Sequence, residues 1–364
     1  MANRYLYTTP ISVRDAQGEV AAIYAQLRRD LGSVAEPVAL HAPLPDLLGG
    51  AWAILRETLL AGQVARGHKE AVAATISTRN RCPWCIDIHS MILEAAGHPQ
   101  ARLAIADGQV ETMVDPSLRA IVAWAAQPLL ELPPVAPDAA PELIGTAVTF
   151  HYLNRMVNVL VESFLPQARW ARRTVAAALP WLLRPLARRS YAAGESLRWV
   201  RAADLPSDLS WARRSPTIAH AFAGFAAVVD QHSQRALPAS ARAIICEHLA
   251  VWDGAAPPLS RSWVEQAVAG LGEPEAAATR LGLLAAMASY QIDEGVVAAY
   301  RRHYPGDASL VAALAWASFA AARRVAAATA VPTAPHDEEL TSEGGARPGV
   351  PHGVDAARAG SQAA

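Results

Sequence analysis

The chain has 364 residues, 52% of them hydrophobic, which excludes wholesale disorder and exceeds the comfortable size of one core. Thirty-two basic against 33 acidic side chains leave a formal charge of −1, so there is no global electrostatic case for a nucleic-acid partner. Only 6% is aromatic and Ala fills stretches such as AARRVAAATA, a composition of helices rather than of sandwiches or barrels, so the expected fold class is all-α.

The first twenty residues, MANRYLYTTPISVRDAQGEV, lack the apolar stretch of a signal peptide, and three cysteines are too few for a secreted disulfide scaffold. A cytoplasmic location is expected. Apolar runs such as LPWLLRPLA are interrupted well short of the ~20 residues that span a bilayer. Residues 14–32 place Val20, Ile23, Leu27 and Leu31 at helical spacing, with Gly32 as a stop. After a Pro-marked loop come three helical segments, LLGGAWAILRETLLAGQ, GHKEAVAATISTRN and CPWCIDIHSMILEAAG, separated by Gly or Asn turns. Residues 99–127 predict two short helices around a break at Asp115–Pro116, and ELIGTAVTFHYLNRMVNVLVESFL predicts a long helix that ends before Pro166. Residues 1–165 thus read as a first module.

Residues 166–205 form a basic connector, with eight arginines against Glu195 and Asp204 and with Trp170, Trp181 and Trp199 interleaved. Basic helices with Trp can lie on anionic membranes. The expectation here is instead a solvated connector whose tryptophans pack on two modules, without membrane contact. From Ser215 the plan of the first module recurs: SPTIAHAFAGFAAVVDQH matches LPDLLGGAWAILRETLL in pattern, and LPASARAIICEHLAVWDG matches VARGHKEAVAATISTRNR. Residues 206–330 therefore read as a diverged internal copy, aligned by period and helix order. Where the first copy has CPWCIDIH the second has APPLSRSWVEQ, so its reactive residues are gone and its role would be structural. The tail, 331–364, has too few large apolar residues to bury and is expected to be disordered.

The chemistry concentrates at Cys82-Pro83-Trp84-Cys85 followed by His89. Spacings of three and seven share one helix face, so both sulfurs and the imidazole can converge. Pro83 suits a first helical turn, which sets Cys82 at a helix N-terminus where unpaired N–H groups favour thiolate. His89, one turn beyond Cys85, can take its proton directly or through water. Glu70 lies on the preceding helix, with eleven residues between it and Cys82, enough for that helix to end and the next to return antiparallel. Two plainer readings compete: a buried pair of small hydrophobes, or part of a zinc site. Closed zinc needs four ligands, and only Cys246 could complete the set, if the modules clasp. Asp87 points off the reactive face. Cys246, in IICEHLA, is expected to be buried and inert.

The pattern Glu-x11-Cys-x2-Cys-x3-His in Ala-rich helices resembles the core signature of the alkylhydroperoxidase D (AhpD)-like family, related to the carboxymuconolactone decarboxylases. The resemblance is strongest over 45–98, extends over 14–165, and is only architectural beyond. It implies an AhpD-like helical bundle and a thiol-dependent oxidoreductase of the peroxidase or dithiol–disulfide type. Glu70 would orient His89, His89 would move the proton, and Cys82 and Cys85 would reduce a hydroperoxide or disulfide and close into an internal disulfide. Cys85 is the expected attacking thiolate because His89 follows it by one turn, and Cys82 the resolving one, although the helix terminus alone favours Cys82. The better-studied peroxidase members resemble a pattern with His between the cysteines; Trp84 here removes one proton relay and reshapes access to the sulfurs.

The resemblance also implies no bound cofactor or metal, an external thiol reductant that is a protein or a small thiol, and apolar faces that pack in a homo-oligomer. His151, with Tyr152, Asn154 and Arg155, resembles a segment found after the core in longer relatives and is expected, with Trp84, at the pocket. No Gly-rich phosphate loop follows a strand, so no nucleotide cofactor is expected. The alternative is a non-enzymatic ligand- or protein-binding member with a structural or redox-sensing Cys82–Cys85 disulfide. Carboxymuconolactone decarboxylation is disfavoured, since members with that chemistry do not rely on a CxxC-x3-His centre.

Overall fold

Proline opens most of the helices that build the site, because its fixed φ suits a first turn and the N–H it lacks would be unpaired there anyway. In the computed structural model, which describes residues 5–163, 165 and 169–329, the helices are α1 (Gly18–Leu31), α2 (Glu36–Ala39), α3 (Pro45–Leu55), α4 (Arg66–Arg79), α5 (Pro83–Ala95), α6 (Pro99–Asp107), α7 (Pro116–Ala125) and α8 (Ala140–Leu160). They continue with α9 (Arg169–Ala187), α10 (Pro216–Ala236), α11 (Ala239–Val251), α12 (Ser262–Ala267), α13 (Glu273–Met287), α14 (Glu294–Arg301) and α15 (Asp307–Val325). The fold is all-α; among the described residues the extended pairings are two isolated bridges, Tyr5 with Val161 and Ala61 with Tyr191. Side-chain caps mark other starts: Asp115 accepts from the N–H groups of Ser117 and Leu118, and Asp293 from that of Val296. The tail from 331 lies outside the described residues.

One apolar cluster runs from Ile23 and Trp52 through Val148 and Phe225 to Leu281 and Phe319, so the segments 1–165 and 206–330 share a continuous core. Within it α3 packs on α10, α8 on α15, and α15 also on α10 and α13. Phe225 lies between Phe319 and Tyr152, with ring centroids 4.8 and 5.0 Å away. Burying each such ring is worth ~1.5–3 kcal/mol, so this aromatic group is a main tie between the halves. α15 is long and apolar enough to cross a membrane by length and composition, but 67% of its apolar window is buried against these neighbours.

Three local features depart from the expected pattern. α3 continues into a π-helical turn, Arg56–Leu60, where Gly145 of α8 comes so close that a Cβ there would stand 2.6 Å from the Thr58 methyl. That turn buries Arg56 against Asp30, with Nε donating across 2.8 Å, while Glu57 accepts from the Gly194 N–H and the Ser196 hydroxyl and so anchors the segment after α9. α8 ends at Leu160, short of Pro166, because the Leu160 carbonyl accepts from the Leu6 N–H and Val161 turns extended to bridge Tyr5. In the connector, Trp199 does pack, donating from Nε1 to Gln26, but Trp181 is 67% exposed, contrary to the expectation that it would cover a module. It occupies the outer face of α9, whose other face packs on α5.

Candidate active site

α4 and α5 form an antiparallel pair joined by the turn Asn80–Arg81–Cys82. Arg81 adopts a φ of 52°, a left-handed conformation that costs a non-glycine residue energy and persists only where its surroundings hold it. The hold comes from the second half of the chain: the Arg81 guanidinium lies 4.7 Å from the centre of the Tyr290 ring. Asn158 Nδ2 donates to the Asn80 carbonyl, and the Cys82 N–H donates to the Ser77 carbonyl. Cys82 is thereby fixed as the N-cap of α5, with Pro83 opening the first turn.

Both cysteines are free and buried, with their sulfurs 2.7 Å apart. The two differ in what they face. Cys85, His89, Trp84 and Arg66 line a cavity of about 250 Å³ whose walls are otherwise mostly apolar, with Phe150 and Leu153 of α8 on one side and Leu179, Leu183 and Leu186 of α9 on another. Cys82 is absent from that lining. Burial, reinforced by the adjacent Cys82 sulfur, pushes the Cys85 thiol well above its usual range, and a hydrogen bond from Asn154 works in the opposite sense. A proton acceptor is therefore required before Cys85 can react as a thiolate.

A candidate acceptor, His89, stands on the same helix. His89 Nδ1 is 2.7 Å from Glu70 Oε2, and Arg66 Nε donates to Glu70 Oε1 across 2.6 Å. A carboxylate can only accept, so Nδ1 donates, and in the neutral ring Nε2 is left as the acceptor. Glu70 is fully buried rather than solvated. Burial raises its carboxyl, but Arg66 and His89 together outweigh that and hold it below the ordinary carboxylate range. The edge of the Phe150 ring fixes the imidazole from the side, with centroids 4.5 Å apart at 83°.

The structure brings Glu70, His89, Cys85 and Trp84 together around one cavity or its immediate support. His151 does not join them. It is buried on the neighbouring face of α8, where it lines a separate small pit with Arg79, Asn80 and Arg155. The reason is register: Phe150 and Leu153 face the cysteines, while His151 and Arg155, four apart, share another face. Cys246 also departs from expectation. It is exposed on α11 and lines a third cavity with Trp316, Phe319 and Arg323, since only residues such as Ile245 and Leu249 on that helix turn inward. Two participants were missed in the sequence. Arg66 was detectable as the i, i+4 partner of Glu70. The α9 leucines were not, because nothing local says that a connector folds back over α5.

No family model matches the chain, and no solved structure matches it significantly. Among proteins of known description, the chain is 41% identical over 320 residues, 87% of its own length and 92% of the relative's, to an alkyl hydroperoxide reductase of Mycobacterium tuberculosis. Identity of that extent takes in the cysteine-bearing and the cysteine-poor halves alike, and the chain belongs to the AhpD-like alkyl hydroperoxide reductase family.

Proposed function

We propose that the protein reduces organic hydroperoxides at Cys85, with Cys82 as the resolving thiol and the Glu70–His89 pair as the proton relay. The observation that carries this reading is that Cys85 and His89 line one mostly apolar cavity while Cys82 sits beneath. A peroxide entering the cavity meets the Cys85 sulfur and the imidazole together. The indole of Trp84 and the leucines of α9 favour a substrate that carries a hydrocarbon body, since burying it releases ~25 cal/mol per Å² of apolar surface.

In the proposed sequence His89 Nε2 takes the Cys85 proton, and the thiolate attacks the terminal peroxide oxygen. A sulfur–oxygen bond forms, the O–O bond breaks, and the departing alkoxide takes the proton back from His89 as an alcohol. Cys82 then attacks the Cys85 sulfenic acid, whose hydroxyl leaves as water with the Cys82 proton, and a Cys82–Cys85 disulfide remains. Two electrons have passed from the dithiol to the peroxide; an external thiol restores the pair. The 2.7 Å sulfur separation supports the resolving step, since a small local shift completes the bond.

The duplication belongs to the same proposal. α3 packs on α10, its counterpart in the pattern match, and like meeting like is what a pseudo-two-fold relation between repeats requires. The second copy would then occupy the place of a neighbouring subunit.

A redox-sensing role for the same pair is favoured by one observation, the burial that raises the Cys85 thiol. Stopped-flow reaction with cumene hydroperoxide in the presence of excess dithiol separates the readings. The peroxidase reading expects many turnovers, a Cys85 sulfenic acid trapped by dimedone in Cys82→Ser, and no consumption in Cys85→Ser. A single stoichiometric oxidation that is not reset by dithiol would leave the sensor.

A further inference from the structure

The pit that holds His151 has no part in the chemistry above, and its electrostatics are one-sided. Arg155 is 5% exposed and Arg79 half-buried, and both guanidinium groups reach into the same pit, of about 30 Å³. Among the described residues, neither meets a carboxylate. Arg155 Nε donates to the Ala286 carbonyl across 2.7 Å, and its Nη1 to the carbonyl of His151 across 2.6 Å and, more weakly, to Asn80 Oδ1; none of these bonds uses Nη2. Arg79 donates to the carbonyls of Gln127 and Gly254. The acidic group nearest in sequence to the lining, Asp253, is exposed and accepts instead from the Ala255 N–H. Burying two guanidinium charges without a counter-charge is costly, and proteins ordinarily supply one.

The imidazole adds a second, independent sign. His151 Nδ1 lies 3.3 Å from both Asn80 Nδ2 and Arg155 Nη1, which are donors, so Nδ1 accepts and the ring proton sits on Nε2. That Nε2–H is buried and has no hydrogen-bond partner among the described residues, and the same holds for the hydroxyl of Tyr290, which also lines the pit. Two guanidinium groups, an orphan imidazole N–H and an orphan hydroxyl thus surround a space large enough for one small occupant. Burial and the neighbouring Arg79 push Arg155 down to about 9, the direction that a bound negative charge would reverse.

We propose that this pit binds one small monovalent anion, of halide or nitrate size, held by Arg79, Arg155 and the His151 Nε2–H. Charge selects an anion over water, and volume excludes a phosphate ester or nucleotide. The occupant would sit at the end of a hydrogen-bonded series that runs from Asn80 Nδ2 to Asn154 Oδ1 and from Asn154 to the Cys85 thiol.

Sodium bromide is the probe, with sodium gluconate at equal ionic strength as the reference. The full-length protein should show a saturable rise in Tm with bromide, and crystals grown in bromide should show an anomalous peak among Arg79, Arg155 and His151. His151→Leu, which removes the orphan donor but keeps an apolar side chain of modest size, and Arg79→Gln, at a half-exposed position, should each lose most of the rise. Equal Tm in both salts with a water-level peak in the pit would overturn the proposal, as would a rise retained in full by both variants. Should either variant fail to fold, the anomalous map of the unaltered protein decides alone.

Discussion

Two buried histidines, His89 on α5 and His151 on α8, have hydrogen-bond partners that arrange their rings in opposite ways. His89 donates from Nδ1 to a carboxylate, which in the neutral ring leaves Nε2 as an acceptor, and its ring shares a cavity lining with Cys85; His151 receives bonds at Nδ1 from an amide and a guanidinium and leaves Nε2–H as a donor. Burial and the charges of Arg155 and Arg79 push His151 well below the usual imidazole range, so it stays neutral. The difference teaches that a histidine's chemistry is assigned by its second nitrogen. A carboxylate there makes a base, and a guanidinium there makes a fixed donor.

The largest test of this contrast is to remove the base. His89→Ala should slow peroxide consumption by about 10²–10⁴-fold, the usual range for a positioned acid–base group. Glu70→Gln should cost less, on the order of tenfold, because the imidazole remains but loses its orienting charge. Unchanged rates of Cys85 alkylation across pH in both variants would remove the relay from the mechanism. Next in size is a question of selectivity. Mild peroxide treatment followed by mass mapping should yield the Cys82–Cys85 disulfide with Cys246 reduced, even though Cys246 is the exposed thiol. A disulfide containing Cys246 as the main product would show that accessibility, not the relay, governs oxidation.

A third buried histidine calibrates the pair. His41 Nε2 meets the Tyr152 hydroxyl at 2.6 Å, and burial pushes the ring down to about 4, an effect that the Val38 carbonyl only partly offsets. Its unfolded value is ~6.5, so between the two the unfolded chain binds the extra proton and stability falls as pH drops from about 6.5 towards 4. At ~1.36 kcal/mol per unit, the loss is on the order of 3 kcal/mol, and His151 adds in the same sense. Urea melts of His41→Gln should show a flatter acid limb than the parent; an identical limb would assign the loss to other groups. The smallest expected effect is that of His151→Leu on peroxide turnover, a change of no more than a few-fold. A loss as large as that of His89→Ala would place His151 in the reaction after all.

Much of this was legible before any coordinates. Glu70, Cys82, Cys85 and His89 lie on adjacent helices, where spacing alone implies convergence, and Pro83 and Asn80 announce the turn between them. What spacing cannot report is which element returns from afar. The leucines of α9 that close the cysteine cavity are more than eighty residues from Cys85 in sequence, and the amphipathic pattern that suits a solvated connector also suits a cover. His151 was misread for a similar reason: an apolar helix buried all round, as α8 is, offers no polar face by which to tell one neighbour from another. Cys246 erred the other way, since a helix of mostly apolar residues can still leave one thiol outside.

The burial of Cys82 has a further consequence for traffic. With one sulfur enclosed and the other lining the α9-walled cavity, a reductant entering that cavity in the proposed cycle would attack the Cys85 sulfur and release Cys82 as the leaving thiolate. Oxidant and reductant would then enter by the same door, one after the other, and each in excess would obstruct its opposite number. Turnover of this kind would follow ping-pong kinetics with competitive substrate inhibition, a pattern dictated by which of two adjacent buried sulfurs lines the cavity.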